Sequence, residues 1–373
     1  MLTAQRTRST PVLADADLIA AARRDAAAAE AAGRLTPQGA AALPRAGFPR
    51  HFVPRDRGGA AGEFGPLVSA TAQVAEACAS AAWCAALFAA HGRLAAYLPP
   101  AGRREVWADG PDQRIAAAVV PPQGQAVARD GGWRLGGAWR PASGVDHADW
   151  VLLASWTPGP AGRQHRIFAV PRSELAVEDT WDSCGLRGTG GNTVRAEGVR
   201  VPEHRSMPVE TLLRPRPGAA RCHAVPFPMV AALIFAAPLL GIARGALRTW
   251  TAERTGGPAP HPATHTVLAE ASARIHAAGL LLDGAAARAD RGEITSLAVA
   301  ENRRDAATAA TLCREAVDSL FRAAGLRAHA RDSVLQRAWR DATTVAAHGT
   351  LDADAAARAY TEAVLTPDGD DPA

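Results

Sequence analysis

The spacing of apolar positions along the chain changes twice. From about residue 16 to 105 it is helical, most densely in the Ala-rich stretches 15–33 and 66–97. Pro and Gly punctuate the segments between, Ala46-Gly-Phe-Pro-Arg-His-Phe-Val-Pro54 and Arg57-Gly-Gly59. Between Leu67 and Leu98 apolar side chains occupy more than one helical face, which predicts a helix buried inside something larger. From about 106 to 210 the pattern becomes short runs bounded by Gly, Pro and Asp-Gly. These predict strands over Arg114–Val120, Trp133–Trp139, Trp150–Trp156, Arg166–Val170 and Thr193–Val201, with a hairpin turn at Asp130-Gly131-Gly132. From about 222 onward the chain returns to Ala-rich, Arg-dotted helices and ends in an acidic Gly-Asp-Asp-Pro tail. Helix, sheet, helix predicts two helical parts packed together with a small β domain inserted between them. The boundaries read as a loose polar tail over 1–14, a helical domain over 15–105, a β domain over 106–212 and a C-terminal helical domain over 213–373.

One segment, Pro226 to Ala243, carries no charge and approaches the length of a membrane-spanning helix. It is interrupted by Pro228, Pro238 and Gly241 and followed by charged periodic helices, so a buried helix of a large bundle is the expectation, and no membrane partner. With 48% apolar residues in 373, the chain can bury a large core. Net charge is only +4, all basic residues are arginine, and they alternate with acids, as in Arg103-Arg104-Glu105. No basic block with interleaved aromatics favours nucleic acid. The five cysteines (Cys78, Cys84, Cys184, Cys222, Cys313) are scattered and never form C-x-x-C, which argues against a disulfide framework or a metal site and fits a reducing cytoplasm.

Familiar catalytic patterns fail. Gly185-Leu-Arg-Gly188-Thr-Gly190-Gly191 imitates a dinucleotide fingerprint but sits among strands with no helix after it. There is no phosphate-binding G-x-x-x-x-G-K-[ST] and no H-E-x-x-H, and Ser143 lies in Pro-Ala-Ser-Gly, not in G-x-S-x-G.

Several motifs taken together resemble the acyl-CoA dehydrogenase superfamily. They are the Gly-Phe-Pro-Arg-His-Phe-Val-Pro turn with Arg57-Gly-Gly59, Trp181-Asp-Ser-Cys-Gly-Leu-Arg-Gly-Thr-Gly190, Val199-Arg-Val-Pro-Glu-His204, and Leu335-Gln-Arg-Ala-Trp-Arg-Asp341. They run in order from about 45 to 350. Within that superfamily the chain resembles the two-component flavin-dependent monooxygenase branch. Ala77-Cys-Ala-Ser-Ala-Ala-Trp83 followed by His91 is similar to one branch helix, and Gly137-Ala-Trp-Arg-Pro-Ala-Ser-Gly144-Val-Asp-His-Ala-Asp-Trp150 to its flavin-edge loop. His348 stands at the spacing of the branch histidine after Trp339-Arg-Asp341. The glutamate that many dehydrogenases carry about eight residues after that aspartate is missing, and with it the general base for dehydrogenation. Over 45–205 the chain further resembles hydroxylases of aromatic polyketide pathways such as that of actinorhodin. One departure is Gly191, where the branch usually has serine after Thr-Gly, so a side-chain hydroxyl is lost.

The resemblance implies an α+β, acyl-CoA dehydrogenase-like fold with an N-terminal helical domain, a central small β-barrel or sheet domain and a C-terminal four-helix bundle, assembled as a homotetramer. It implies reduced FMN, or alternatively FAD, delivered by a separate NAD(P)H:flavin reductase, with O2 as co-substrate. The reaction would be hydroxylation of a small aromatic or phenolic substrate of polyketide type by a C4a-hydroperoxyflavin. The cofactor carries that chemistry, and the protein supplies orientation, hydrogen bonds and a dry pocket. Ser143, His348 and His91 are the implied catalytic residues. Trp139, Ser143, Gly144, Arg187, Gly188, Thr189 and Gly190 would bind flavin, the last four through backbone amides, while His91 and Trp83 would face the substrate. Histidine suits the task because its unperturbed pKa of ~6.5 lies near working pH. Rival readings are oxygenation at nitrogen or sulfur on the same fold, a true acyl-CoA dehydrogenase, and a non-catalytic flavin-fold partner.

Overall fold

A computed structural model describes residues 13–160, 162–255 and 262–366. The tail expected over 1–14 and the acidic C-terminal tail fall largely or wholly outside the described residues. The first helical part comprises α1 (Ala16–Ala32), α2 (Pro37–Arg45), α3 (Phe64–Ala75), α4 (Ala79–Ala95) and α5 (Pro100–Val106). Local chemistry sets their ends. Asp15 accepts the Leu18 amide at 2.7 Å to start α1, and Thr36 accepts the Gly39 amide at 3.0 Å to start α2. The start of α3 is capped from a distant helix, since Asp290 accepts the amides of Phe64 and Gly65 at 2.7 and 2.9 Å. The stretch 66–97 is thus two helices, parted at Glu76–Cys78. Every residue of α4 except Ala90 is buried, as its all-round apolar pattern requires.

The β region holds β1 (Ile115–Ala118), β2 (Gln125–Arg129), β3 (Gly132–Ala142), β4 (Trp150–Gly159), β5 (Gly162–Pro171), β6 (Ala176–Glu178), β7 (Asn192–Pro202) and β8 (Ser206–Pro208). Among the described residues they form two four-stranded sheets, ordered β1-β4-β5-β8 and β2-β3-β7-β6, with only β1–β4 parallel. All five expected strands are present, and Asp130-Gly131 makes the two-residue turn between β2 and β3. The three strands absent from the sequence reading are short or exposed. β2, for example, lies on a sheet edge with four of its five residues exposed, so no apolar alternation marks it. The first sheet is covered on both faces. Val151, Leu153, Phe168 and Val170 face the second sheet, while Leu152, Ala154, Ile167 and Ala169 face Leu94, Tyr97 and Trp107 of the helical layer. Burial on both sides explains why β4 reads as a continuous apolar run.

The chain then forms α6 (Glu210–Leu213), α7 (Arg221–Ala224), α8 (Phe227–Ala252), α9 (Pro262–Arg291), α10 (Ser296–Ala323), α11 (Val334–Ala346) and α12 (Ala353–Leu365). α8 contains the uncharged segment, and it runs through all three expected interruptions. Pro228 sits in the first turn, where no amide partner is needed, and Pro238 is accommodated inside the helix. At Gly241 a Cβ would lie 2.1 Å from the Ala72 carbonyl oxygen, so glycine is what lets α3 and α8 touch. By composition α8 is long enough to cross a membrane, but 78% of its apolar window is buried within the fold. One core joins α1–α4 to α8–α11, so the two helical parts pack together as expected, with the sheets between them in sequence.

Candidate active site

Four elements converge on Ser143. β3 ends at Ala142, and Gly144 then adopts φ +75°, which turns the chain sharply into Val145–His147. The turn is anchored three ways. The Gly144 amide donates to the Thr189 carbonyl at 2.7 Å, His147 Nε2 donates to the Leu35 carbonyl at 2.9 Å, and Asp146 accepts from Arg34 at 3.3 Å and Asn192 at 3.0 Å. The His147 side chain therefore ties the turn to the helical part, while its amide donates within the turn to the Gly144 carbonyl at 3.0 Å.

From α4, the Trp83 indole N–H donates to Ser143 Oγ at 3.2 Å. The Trp83 ring lies 5.3 Å from Phe235 of α8 and 5.9 Å from His348, and His348 stacks on Phe235 at 3.8 Å with an interplanar angle of 21°. Ser143, Trp83 and His348, which are far apart in sequence, thus share one aromatic-walled site. His348 follows α11, and its Nδ1 accepts the Thr350 amide at 3.3 Å. Burial pushes its pKa down to about 4, so the ring is neutral at physiological pH. With Nδ1 accepting, the ring hydrogen belongs on Nε2.

His91 is buried two turns along α4. Its Nδ1 donates to the Ile115 carbonyl at 2.7 Å, and burial lowers its pKa to about 4. Its tautomer is therefore opposite to that of His348, with Nε2 as acceptor. No hydrogen bond or ring contact among the described residues joins His91 to the Trp83–His348 cluster.

The expected flavin-binding residues divide. Trp139 must be corrected: it is fully buried in the β core, donates to the Ala154 carbonyl at 2.8 Å and packs on Gly124, which leaves no surface for a cofactor. The amide and hydroxyl of Thr189 are both spent on the Leu186 carbonyl, at 3.1 and 2.8 Å, which corrects the expectation of a free amide there. Gly188 closes against Ala29 of α1 and Gly190 against Asp146, while Arg187 donates to the Ser183 carbonyl at 3.0 Å. At Gly191 a Cβ would lie 2.7 Å from the Trp181 ring, so the missing serine is explained by the indole packed there.

Two residues escaped the sequence reading. Phe235 is one apolar position among many in α8, and nothing local marks it as the one that stacks on a histidine. Asp341 was noted only as part of a motif. It is buried, and its Oδ1 accepts the Leu186 amide at 2.6 Å.

A cavity of about 930 Å³ lies elsewhere, lined among others by His51, Arg55, Glu63, Gln73, Arg221 and Asp290. It contains none of these site residues, and its buried polar groups have structural partners: His51 bonds the Glu63 carbonyl, Asp290 caps α3, and Arg221 holds carbonyls at the end of α9.

The hydrogens available at the Ser143 site fit a flavin edge. Ser143 receives a hydrogen from Trp83 and keeps its own to give, His348 offers Nε2–H, and the walls are aromatic. Similarity to known proteins identifies the family. Residues 233–353 match the C-terminal domain of acyl-CoA dehydrogenases. The chain is 33% identical over 363 residues to the oxygenase component of an FADH2-dependent resorcinol hydroxylase of Rhizobium sp. (strain MTP-10005), covering 89% of this chain and 88% of that protein. The chain belongs to the oxygenase components of two-component flavin-dependent monooxygenases. It is also 32% identical over 348 residues to the flavin-dependent monooxygenase oxygenase subunit HsaA of Rhodococcus jostii (strain RHA1), covering 86% of this chain and 88% of that one. Its fold matches the solved structure of XiaF from Streptomyces sp. in complex with FADH2 and glycerol, with a TM-score of 0.87, 25% identity, and coverage of 96% of this chain and 95% of that one. The enzyme is accordingly a flavin-dependent monooxygenase, oxygenase component, on the acyl-CoA dehydrogenase fold.

Proposed function

We propose that this oxygenase hydroxylates a phenolic ring, with Ser143 and His348 as the hydrogen donors that meet the flavin edge and the activated oxygen. The observation that carries this is the disposition of hydrogens. Trp83 donates to Ser143, which frees the serine's own hydrogen, and the Thr350 amide fixes the His348 hydrogen on Nε2. Bound reduced flavin supplies the activation of dioxygen. His91, whose free Nε2 is an acceptor, is suited to take the substrate's phenolic O–H. The faces of Trp83 and Phe235 are suited to hold the ring. Arg187, Gly188 and Gly190 keep the role of lining the flavin through backbone amides, while Gly144 acts by aiming Ser143.

The narrower reading is a fused, polyketide-type phenol, supported by the motif likeness over 45–205. For the flavin, the resemblance favoured FMN over FAD, whereas the names of two relatives carry FADH2. On that ground FADH2 is the better choice. A homotetramer is supported by apolar side chains left exposed on the bundle, Leu268 and Leu280 of α9 and Leu297 of α10. A cytoplasmic location is supported by five free cysteines.

The test is to mix the anaerobic protein with FMNH2 or FADH2, add O2, and follow flavin absorbance by stopped flow with and without phenols. The expected result is binding of the reduced flavin and reoxidation much slower than in buffer, with hydroxylated product when a phenol is present. Ser143→Ala and His348→Ala should each shorten that delay. Reoxidation at the buffer rate with both flavins would sink the proposal, and product oxygenated at nitrogen or sulfur would move the chain to the rival chemistry.

A further inference from the structure

Leu186 is held in a conformation that leucine avoids. Its φ of +51° places it in the left-handed region, at a cost of roughly 1–2 kcal/mol for a residue with a Cβ. Asp341, on α11 and 4% exposed, accepts the Leu186 amide at 2.6 Å. The Leu186 carbonyl in turn accepts the Thr189 hydroxyl at 2.8 Å and the Trp181 indole at 3.0 Å, closing the turn Arg187–Thr189. The Thr189 carbonyl then accepts the Gly144 amide at 2.7 Å, next to Ser143. Gly185, on the other side, packs directly on the backbone of Arg340. One helix, α11, therefore governs both proposed donors: His348 by direct continuation, and Ser143 through this run of hydrogen bonds.

We propose that Asp341 is a positioning residue for the flavin edge, fixing the Ser143 turn through the Leu186 amide and the Thr189 carbonyl. This rests on the proposed role of Ser143. Its physical basis is that an amide bond to a carboxylate is stronger than one to a neutral acid. The groups around Asp341 are Glu30 on α1, Arg337 and Arg340 on α11 and the Cys78 thiol ahead of α4. Arg340 is already committed to Glu30 at 2.7 Å and to the Cys184 carbonyl. Burial, only partly offset by the Leu186 amide, Arg340 and Arg337, raises the Asp341 pKa to about 7. The hold on Leu186 therefore tightens as the pH rises through neutrality.

The first readout needs neither flavin nor mutation. Hydrogen–deuterium exchange of the flavin-free protein is measured by mass spectrometry at about pH 6 and about pH 8, corrected for intrinsic exchange. Peptides covering 182–191 and 142–147 should exchange several-fold faster at the lower pH, and in Asp341→Asn the two conditions should agree. The second readout is product formed per flavin oxidised, which should fall ~3–10-fold in Asp341→Asn, a loss of the size expected when a charged hydrogen bond is replaced by a neutral one. Asp341→Ala should do at least as much where it folds. The inference is overturned if peptide 142–147 is indifferent both to pH in the native protein and to Asp341→Asn, or if Asp341→Asn changes only thermal stability. Failure of the Ser143 reading has a different signature: Ser143→Ala would leave the product ratio unchanged while the exchange behaviour of both peptides persisted.

Discussion

The two histidines of the proposed site differ in the one property that matters to an oxygenation, the nitrogen that carries the hydrogen. A carbonyl can only accept, so His91 must protonate Nδ1 to bond Ile115, and an amide can only donate, so His348 must leave Nδ1 bare for Thr350. Both rings are held neutral near pH 7 by burial, with pKa values of about 4. His348 should then act as a neutral donor whose contribution is flat across pH 6–8. His348→Ala should lower hydroxylation by about 10²–10⁴-fold, the usual range for a positioned acid or base, without removing any inflection from the pH profile. If it abolished an inflection near pH 6.5, the neutral-donor assignment would be wrong. Trp83 offers a finer cut. Trp83→Phe retains a ring against Phe235 and His348 but deletes the N–H that orients Ser143. Product per flavin oxidised should fall several-fold with substrate affinity little changed. A rise in substrate Kd with an unaltered product ratio would make Trp83 a substrate contact alone.

Elements were legible in the sequence where burial and periodicity coincide. The covered strands β3, β4, β5 and β7 announced themselves, whereas the exposed edge strand β2 carries no apolar signal. α8 shows a subtler limit. Its prolines and glycine read as interruptions, but a proline in the first turn breaks no hydrogen bond, and Gly241 is a packing device that only the neighbouring α3 reveals. For the same reason motif resemblance brought Ser143, Trp83 and His348 together but missed Phe235 and misassigned Trp139. A motif records which residues recur, not whether a side chain points into the site or into the sheet core. Gly191 is the testable case. Serine, usual in the branch, would press its Cβ to 2.7 Å from Trp181, whose indole N–H is also committed to the Leu186 carbonyl at 3.0 Å. Gly191→Ser should therefore destabilise the protein by about 1–3 kcal/mol, the range for overpacking, and thermal unfolding would show it. A neutral or stabilising result would mean that Trp181 moves freely and that its bond to Leu186 matters little.

The whole molecule holds buried ionisable groups whose stability effects run in opposite directions with pH. His91, His223 and His348 all have pKa values lowered to about 4. Each stays neutral in the fold but protonates near pH 6.5 when unfolded. Stability is therefore lost as the pH falls below about 6.5, by roughly 3 kcal/mol per group near pH 4. Asp341 is the reverse. Its pKa is raised to about 7 from 3.8, so the stability it contributes is fully present below about pH 3.8 and is lost as the pH rises from there to about 7, to the extent of about 4 kcal/mol. Three histidines at roughly 3 kcal/mol each outweigh one acid at about 4, so the native protein should still unfold more readily at pH 4 than at pH 7, with the acid softening the decline. Asp341→Asn keeps an acceptor for Leu186 and removes the titration. Calorimetry should find it several degrees more stable than the native protein at pH 8 and by a clearly smaller margin at pH 5, so that its own decline on acidification is steeper. That pattern, together with a poorer product ratio at the same pH 8, would mean that the enzyme keeps a costly buried carboxylate because the ionised form is what holds Ser143 in place. Equal stability of the two proteins at pH 8 would show that the cost of burying Asp341 is relieved by groups other than Arg337 and Arg340, and the charged hold on Leu186 would lose its energetic basis.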